Sequence, residues 1–379
     1  MNKSTHFSGH PIIKQLLQFI DRALINRTAQ AWQADRYYKR FKTYDHLVTM
    51  LFAALSGVSS LRELSSVMLA CEGKINHLNM HHFPRRSTIS DANGKRPSGV
   101  FGEIYHRLLG RYRGFLSDSS PRKPAVKNLR IIDSTTISLF SDILKGPGRP
   151  PLTGKKKGGI KLHTMIHVLE DVPQLVRFSS AARHDHTFLA DLELSEGSFV
   201  VFDKGYTDYR QYHRWSQSTV YFVTRQKDNA AWETVQEYEI EDSIDAGVIK
   251  DEQIKVSKDG QDILLRGIAY YHAGQDRTYI FLTNNEQLAA DKIAEIYKQR
   301  WQIESMFKRL KQNFPLKYFL GDSQNAIEIQ IWVSLIAQLL MLVVQRKAQR
   351  RWAFSNMVGV IRYHLTSYID LFRFLKNPD

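Results

Sequence analysis

Three acidic residues stand where a carboxylate needs a reason. Asp133 falls inside NLRIIDSTTISLF, an apolar and β-branched run in which an unpaired charge is costly. Asp203 closes a second run, SFVVFDKGY, just before a Lys-Gly-Tyr turn in which Gly205 can supply an unusual backbone conformation. Glu304 lies in YKQRWQIESMFKRLK, residues 297–311, which holds neither Gly nor Pro and carries apolar residues at helical spacing. Three hard oxygen donors with no thiol beside them suit Mg²⁺ or Mn²⁺. Two such ions about 4 Å apart activate an attacking oxygen and stabilise the leaving one in phosphoryl transfer.

Around Glu304, helical spacing of about 100° per residue places Tyr297, Arg300, Glu304 and Lys311 within an arc of roughly 60°. Ile303, Met306, Phe307 and Leu310 fill the neighbouring arc. Cations and a hydroxyl in that line suit a grip on phosphates. The competing reading is a solvated face in which Arg300 and Lys308, each four residues from Glu304, form ordinary pairs. If the strands bearing Asp133 and Asp203 are neighbours, their carboxylates meet at the rim of the sheet, where ligand sites gather. A helix packed across the sheet by Ile303, Phe307 and Leu310 then adds Glu304.

The elements that must position these residues follow from pattern. After NLRIIDSTTISLF come the strand runs GIKLHTMIHVLE and QLVRFSSAA, a short helix HTFLADLEL, the strand ending on Asp203, a helix TDYRQYHRWSQ and a strand STVYFVTRQ. This is a mixed α/β core over 125–226, completed by 289–345. Residues 227–288 interrupt it with hairpin-like alternation and read as an inserted antiparallel β subdomain. Residues 1–120 are helical and basic, with two helices broken near Gly57, a Ser60/Glu63 capping box and a loop bearing Arg85 and Arg86. Residues 346–379 form a C-terminal helical region. The segment LKGPGRPPLTGKKKGG reads as a basic hairpin tip rather than a minor-groove hook built on Gly148-Arg149-Pro150.

The formal charge of +15 over 379 residues points to a polyanionic partner, most simply nucleic acid. Cys71 is the only cysteine, which excludes an internal disulfide and a cysteine-rich zinc site. His163 with His167, and His184 with His186, are weak metal candidates. The apolar run IWVSLIAQLLMLVV is shorter than a usual span and carries Ser334 and Gln338, so a buried core helix is expected, with no membrane partner and a cytoplasmic location.

The spacing Tyr297-x2-Arg300-x3-Glu304-x6-Lys311 resembles the YREK signature of DDE transposases of the insertion-sequence-four family. IIDSTTISL and VFDKGY resemble that family's blocks around its two aspartates, and KKKGGIKLHTMI and FVTRQK its intervening strands, over about residues 125–345. The resemblance implies a ribonuclease-H-like catalytic domain with helices on both faces of its sheet. It assigns Asp133, Asp203 and Glu304 to catalysis and to binding two Mg²⁺ or Mn²⁺ ions, and Tyr297, Arg300 and Lys311 to the DNA end. Lys161, Lys204 and Arg225 in those blocks, with Arg85 and Arg86, are further expected DNA contacts. A hairpin step needs an aromatic platform for an extruded base, supplied by Trp301 or by Trp232, the slightly favoured one. The implied activity is metal-dependent cleavage and strand transfer at inverted-repeat ends, by a homodimer bringing two ends together. A nuclease or resolvase without strand transfer, or a catalytically inactive DNA-binding repressor, are the alternatives.

Overall fold

The computed structural model describes residues 7–69, 71, 73–138, 159–181, 185–227, 230–240, 244–258 and 260–378. Gly148-Arg149-Pro150 and His184 lie outside them. The helices are α1 (Ile12–Leu17), α2 (Arg22–Ala31), α3 (Thr43–Ser56), α4 (Leu61–Leu69), α5 (Arg86–Lys95), α6 (Gly99–Asp118), α7 (Tyr209–Gln217), α8 (Ala290–Lys298), α9 (Trp301–Asn313), α10 (Gln324–Lys347), α11 (Phe354–Tyr363) and α12 (Leu371–Lys376). The strands are β1 (Leu129–Ser138), β2 (Gly159–His167), β3 (Pro173–Ser180), β4 (Phe199–Val201), β5 (Tyr221–Arg225), β6 (Glu233–Glu237), β7 (Val248–Lys258), β8 (Gln261–His272) and β9 (Arg277–Thr283).

Contacts divide the chain into two units. One comprises Met1–Ser120, Ile137–Ile160 and Phe307–Asp379; the other comprises Pro121–Thr136 and Lys161–Met306. The first is helical. Its centre is α10, which is apolar and long enough to cross a membrane, yet 94% of its apolar window is buried inside the fold. It packs against α3, α5, α6 and α11. At the α6 crossing a Cβ on Gly102 would stand 2.9 Å from the Trp332 ring, so only glycine allows this approach. By contacts, the residues from Phe307 onward group with the N-terminal helices, because α10 buries its apolar surface among them.

The break at Gly57 is real: its φ of 77° ends α3 in the left-handed conformation. Ser60 Oγ accepts from the Glu63 N–H, and the Glu63 carboxylate returns to the N–H and hydroxyl of Ser59, one residue earlier than a strict capping box. The segment bearing Arg86, expected as a loop, is α5. Ile89, Ala92 and Asn93 are buried along one face of it, which overrides the breaking tendency of Gly94.

The second unit carries the sheet, in the order β3-β2-β1-β4-β5-β9-β8-β7-β6. β1, β4 and β5 are parallel at its centre. The order 3-2-1-4-5 around that trio is the ribonuclease-H-like arrangement. Residues 227–288 are antiparallel as expected, but they extend the same sheet, because β9 pairs with β5 through Val223↔Thr283. Alternation along β9 puts helices on both faces. Leu282 joins the core formed with Tyr212 and Trp215 of α7, whereas Phe281 meets Tyr297 of α8 with ring centroids 4.6 Å apart.

The stretch 297–311 is two helices rather than the one expected. The chain turns at Gln299 and Arg300, where Arg300 N–H bonds Tyr297 C=O and Gln302 N–H bonds Gln299 C=O, each three residues back instead of four. Gln302 fixes the turn from below by donating its amide to Val168 C=O and Asp171.

Candidate active site

The register of β1 on β4 sets the first two acids. Its last paired couple is Ile131↔Val201, and Asp133 and Asp203 each follow two residues later. Asp133 and Ile131 share a face, as do Asp203 and Val201, so the two carboxylates leave neighbouring parallel strands on the same side.

Arg300 and Tyr297 join the rest. Arg300 is almost buried; its Nη2 stands 2.8 Å from Glu304 Oε1 and its Nη1 3.4 Å from Asp133 Oδ2. Tyr297 donates its hydroxyl to Asp203 Oδ1 at 3.2 Å. Arg225, at the end of β5, approaches the same Asp203 oxygen at 3.9 Å. The kink at Gln299–Arg300 is what turns Arg300 inward, away from the continuous exposed arc that an unbroken helix implies.

Burial pushes the Asp133 carboxyl up to about 6, with the charges of Glu304 and Asp203 acting in the same direction; the Ser134 N–H and Arg300 oppose them. Burial also raises the Tyr297 hydroxyl to about 12, helped by Asp203, which keeps it a donor. Two buried donors beside these acids, Arg225 Nε and Arg300 Nε, have no acceptor among the described residues.

Asp185, absent from the sequence reading, is a fourth carboxylate here. It accepts from Ser134 Oγ at 2.8 Å, and Lys161 Nζ lies 3.2 Å from it. His163 Nδ1 stands 3.5 Å from the same oxygen, while its Nε2 meets Ser179 Oγ at 2.8 Å. Lys161, expected to reach DNA, is thus mostly buried against an acid. The signal in the sequence is Asp185 between two histidines, ahead of a short helical run.

Lys204 is half-buried in the turn after Asp203. Trp232 is half-buried and packs on the core that holds Phe202 and Phe222. Trp301 is 54% exposed, with the Arg300 guanidinium 5.6 Å from its ring centroid, and it lines a cleft of about 520 Å³ together with Arg122, Lys123 and Lys298. Lys311, Arg85 and Arg86 are exposed residues of the helical unit, and burial of the Lys311 stem holds its ammonium below the usual lysine range.

A ribonuclease-H-like sheet with acids at the ends of its central strands defines a class of nucleic-acid phosphoryl-transfer proteins, and the comparisons place the chain within it. Residues 124–340 match the Transposase DDE domain, and residues 8–81 match a domain of unknown function, DUF4372. A putative transposase of Sinorhizobium fredii, y4zB, is 31% identical over 268 residues, covering 69% of this chain and 72% of that protein. A putative transposase for insertion sequence element IS4SA of Synechocystis is 27% identical over 290 residues, covering 73% and 76%. Among solved structures, the piggyBac transposase synaptic complex with hairpin DNA aligns at a TM-score of 0.44 and 9% identity, covering 99% of this chain and 85% of that one. The chain belongs to the DDE transposase family: it is a DNA transposase, a metal-dependent enzyme of phosphoryl transfer.

The residues fit a divalent ion in chemistry. Asp133, Asp203 and Glu304 offer only oxygens, and their mutual repulsion at Asp133 is what a cation relieves. Among the described residues no three ligands surround one point; Arg300 bridges Asp133 and Glu304 and Tyr297 bonds Asp203, so an ion held by these acids would share their oxygens with a guanidinium.

Proposed function

We propose that Asp133, Asp203 and Glu304 hold two Mg²⁺ or Mn²⁺ ions and that this site cuts the inverted-repeat ends of an insertion sequence and joins them to target DNA. When bound, such ions activate the attacking oxygen and stabilise the leaving one. Arg300 and Arg225 place positive charge beside the acids, where it would attract phosphate oxygens. Tyr297 orients the Asp203 carboxylate through its hydroxyl. Trp301, the exposed ring beside Arg300, supplies the stacking face if a base is extruded, in preference to the core-packed Trp232. Lys311, Lys204, Arg85 and Arg86 contribute further phosphate contacts. The protein acts in the cytoplasm as a homodimer on two ends, as an insertion-sequence-four transposase.

The observation that carries this reading is the Arg300 bridge between Asp133 and Glu304. It puts the cation of the YREK spacing on the acids themselves rather than in solvent. The test is a joining assay: purified protein, Mg²⁺ or Mn²⁺, DNA ending in the element's inverted repeats, and a supercoiled target. Joined products support transposition; end nicking without joining at any metal concentration supports a nuclease instead.

A further inference from the structure

The inserted strands extend the sheet, and their two faces differ in kind. On one face Ile254, Val256, Leu265 and Leu282 join the apolar core that holds Trp215 of α7. The other face packs against α8 and carries Tyr270 of β8 with Tyr279 and Phe281 of β9. Tyr270 stands opposite Tyr279, and Phe281 stands opposite Arg225 of β5. That register puts all four side chains on the α8 side of the sheet.

Each ring meets a side chain at or beside the Asp203 end of the site. Phe281 packs on Tyr297, whose hydroxyl reaches Asp203. The Arg225 guanidinium lies 5.3 Å from the Tyr279 centroid, and its Nη2 stands 3.9 Å from Asp203. Tyr270 accepts from Lys298 Nζ at 2.8 Å, between Tyr297 and the kink at Gln299–Arg300. The rings touch one another as well, with centroids 5.8 Å apart for Tyr270–Phe281 and 6.3 Å for Tyr279–Phe281. Arg266, farther along the same face of β8, holds the other end of α8. It is buried against Asp251 at 2.8 and 2.6 Å, and it donates to Asn285 C=O at 3.2 Å and Leu288 C=O at 2.6 Å, just ahead of the helix. Burial alone would be met by aliphatic side chains, as the opposite face shows. Rings with polar tips add direction, because a ring face fixes where a cation sits and a hydroxyl fixes an ammonium.

We propose that the aromatic face of the insertion positions the Asp203 end of the site, with Phe281 setting Tyr297 and Tyr279 setting Arg225. Tyr279 acts through Arg225 and is a positioning residue, not a catalytic one. The role rests on reading Asp203 as one of the metal-holding acids, and it gives the inserted strands a part in the reaction.

The test uses full-length protein, Mn²⁺ and duplex DNA bearing the element ends. Tyr279→Leu, with Tyr279→Met as a second ring-free variant, is compared with Tyr279→Phe, with Arg225→Ala and with the Tyr279→Leu/Arg225→Ala double variant. Removing the ring should lower kcat by at least about fivefold and leave KM for DNA within about twofold. Tyr279→Phe keeps the ring, loses only its hydroxyl bond to Gln275, and should restore the wild-type kcat. The double variant should be no slower than Arg225→Ala alone, because the ring then has nothing to place. In protein carrying isotope-labelled arginine, the Arg225 guanidinium N–H resonance should move in Tyr279→Leu and stay in Tyr279→Phe. Tyr271→Leu removes an exposed ring of the same hairpin, bonded to Asp276, and should leave rate and resonance unchanged. A wild-type rate in the ring-free variants, a double variant slower by the full product of the single losses, or an equal loss in Tyr271→Leu would overturn the positioning role. A wild type that cuts no DNA while the Arg225 resonance still moves would sink the reading of the acids and leave the placement of Arg225 by Tyr279 standing.

Discussion

Arg300 Nη1 lies 3.4 Å from Asp133 Oδ2, although 167 residues separate the two in the chain. One cation therefore sits on two acids that are proposed to hold metal, and its removal is expected to have two opposite effects. Arg300→Ala is expected to tighten Mn²⁺ binding to the DNA-free protein, since the competing guanidinium is gone, while slowing end cleavage by at least about tenfold. Arg300→Lys, which keeps the charge but not the fork, should fall between. Calorimetric Mn²⁺ titration beside cleavage rates checks both; cleavage at the wild-type rate in Arg300→Ala would return this residue to a merely structural pairing.

Tyr297 separates packing from hydrogen bonding. Tyr297→Phe keeps the ring on Phe281 and loses only the bond to Asp203. Stability should change by no more than about 1 kcal/mol, while cleavage slows. Melting curves and rates measured on the same preparation make the comparison.

Asp185→Asn removes the charge that faces Lys161 and His163 but keeps an acceptor for Ser134. Cleavage should drop several-fold through misplacement of the β1 end that carries Asp133, and DNA binding should hold or strengthen, because Lys161 loses its acidic partner. A variant with unaltered rate and affinity would show the cluster to be inert.

The raised Asp133 carboxyl gives a pH signature. The folded protein keeps this proton up to about 6, against the ordinary 3.8, so this group's contribution to stability is greatest at low pH and falls as pH rises through that window. A metal needs the ionised form, so metal affinity should climb with pH up to about 6 and then level off. Mn²⁺ titrations at pH 5 and pH 7 test this; equal affinity at both would place the ionisation elsewhere.

The strands and both aspartates were legible because apolar, β-branched runs around Asp133 and Asp203 have one reading, and neighbouring parallel strands bring their ends together. The helix of Glu304 was legible as helix but not as two. No Gly or Pro marks the turn at Gln299 and Arg300, which is fixed by Gln302 bonding to Val168 and Asp171, partners more than 130 residues away in sequence. Asp185 was missed for a related reason. Its neighbours Ser134, Lys161 and His163 come from β1 and β2, and no local pattern links them to it. The sheet's extension through β9 likewise depends on pairing with β5, which alternation within residues 227–288 does not reveal.

The most direct test is cleavage of DNA bearing the element ends, with Mg²⁺ or Mn²⁺, by Asp133→Ala, Asp203→Ala and Glu304→Ala, alongside mobility-shift measurement of their binding to the same DNA. Each variant is expected to bind the ends with affinity close to wild type and to leave them uncut. Near-normal cutting by any one of the three would contradict the assignment of these acids to the metal-dependent step.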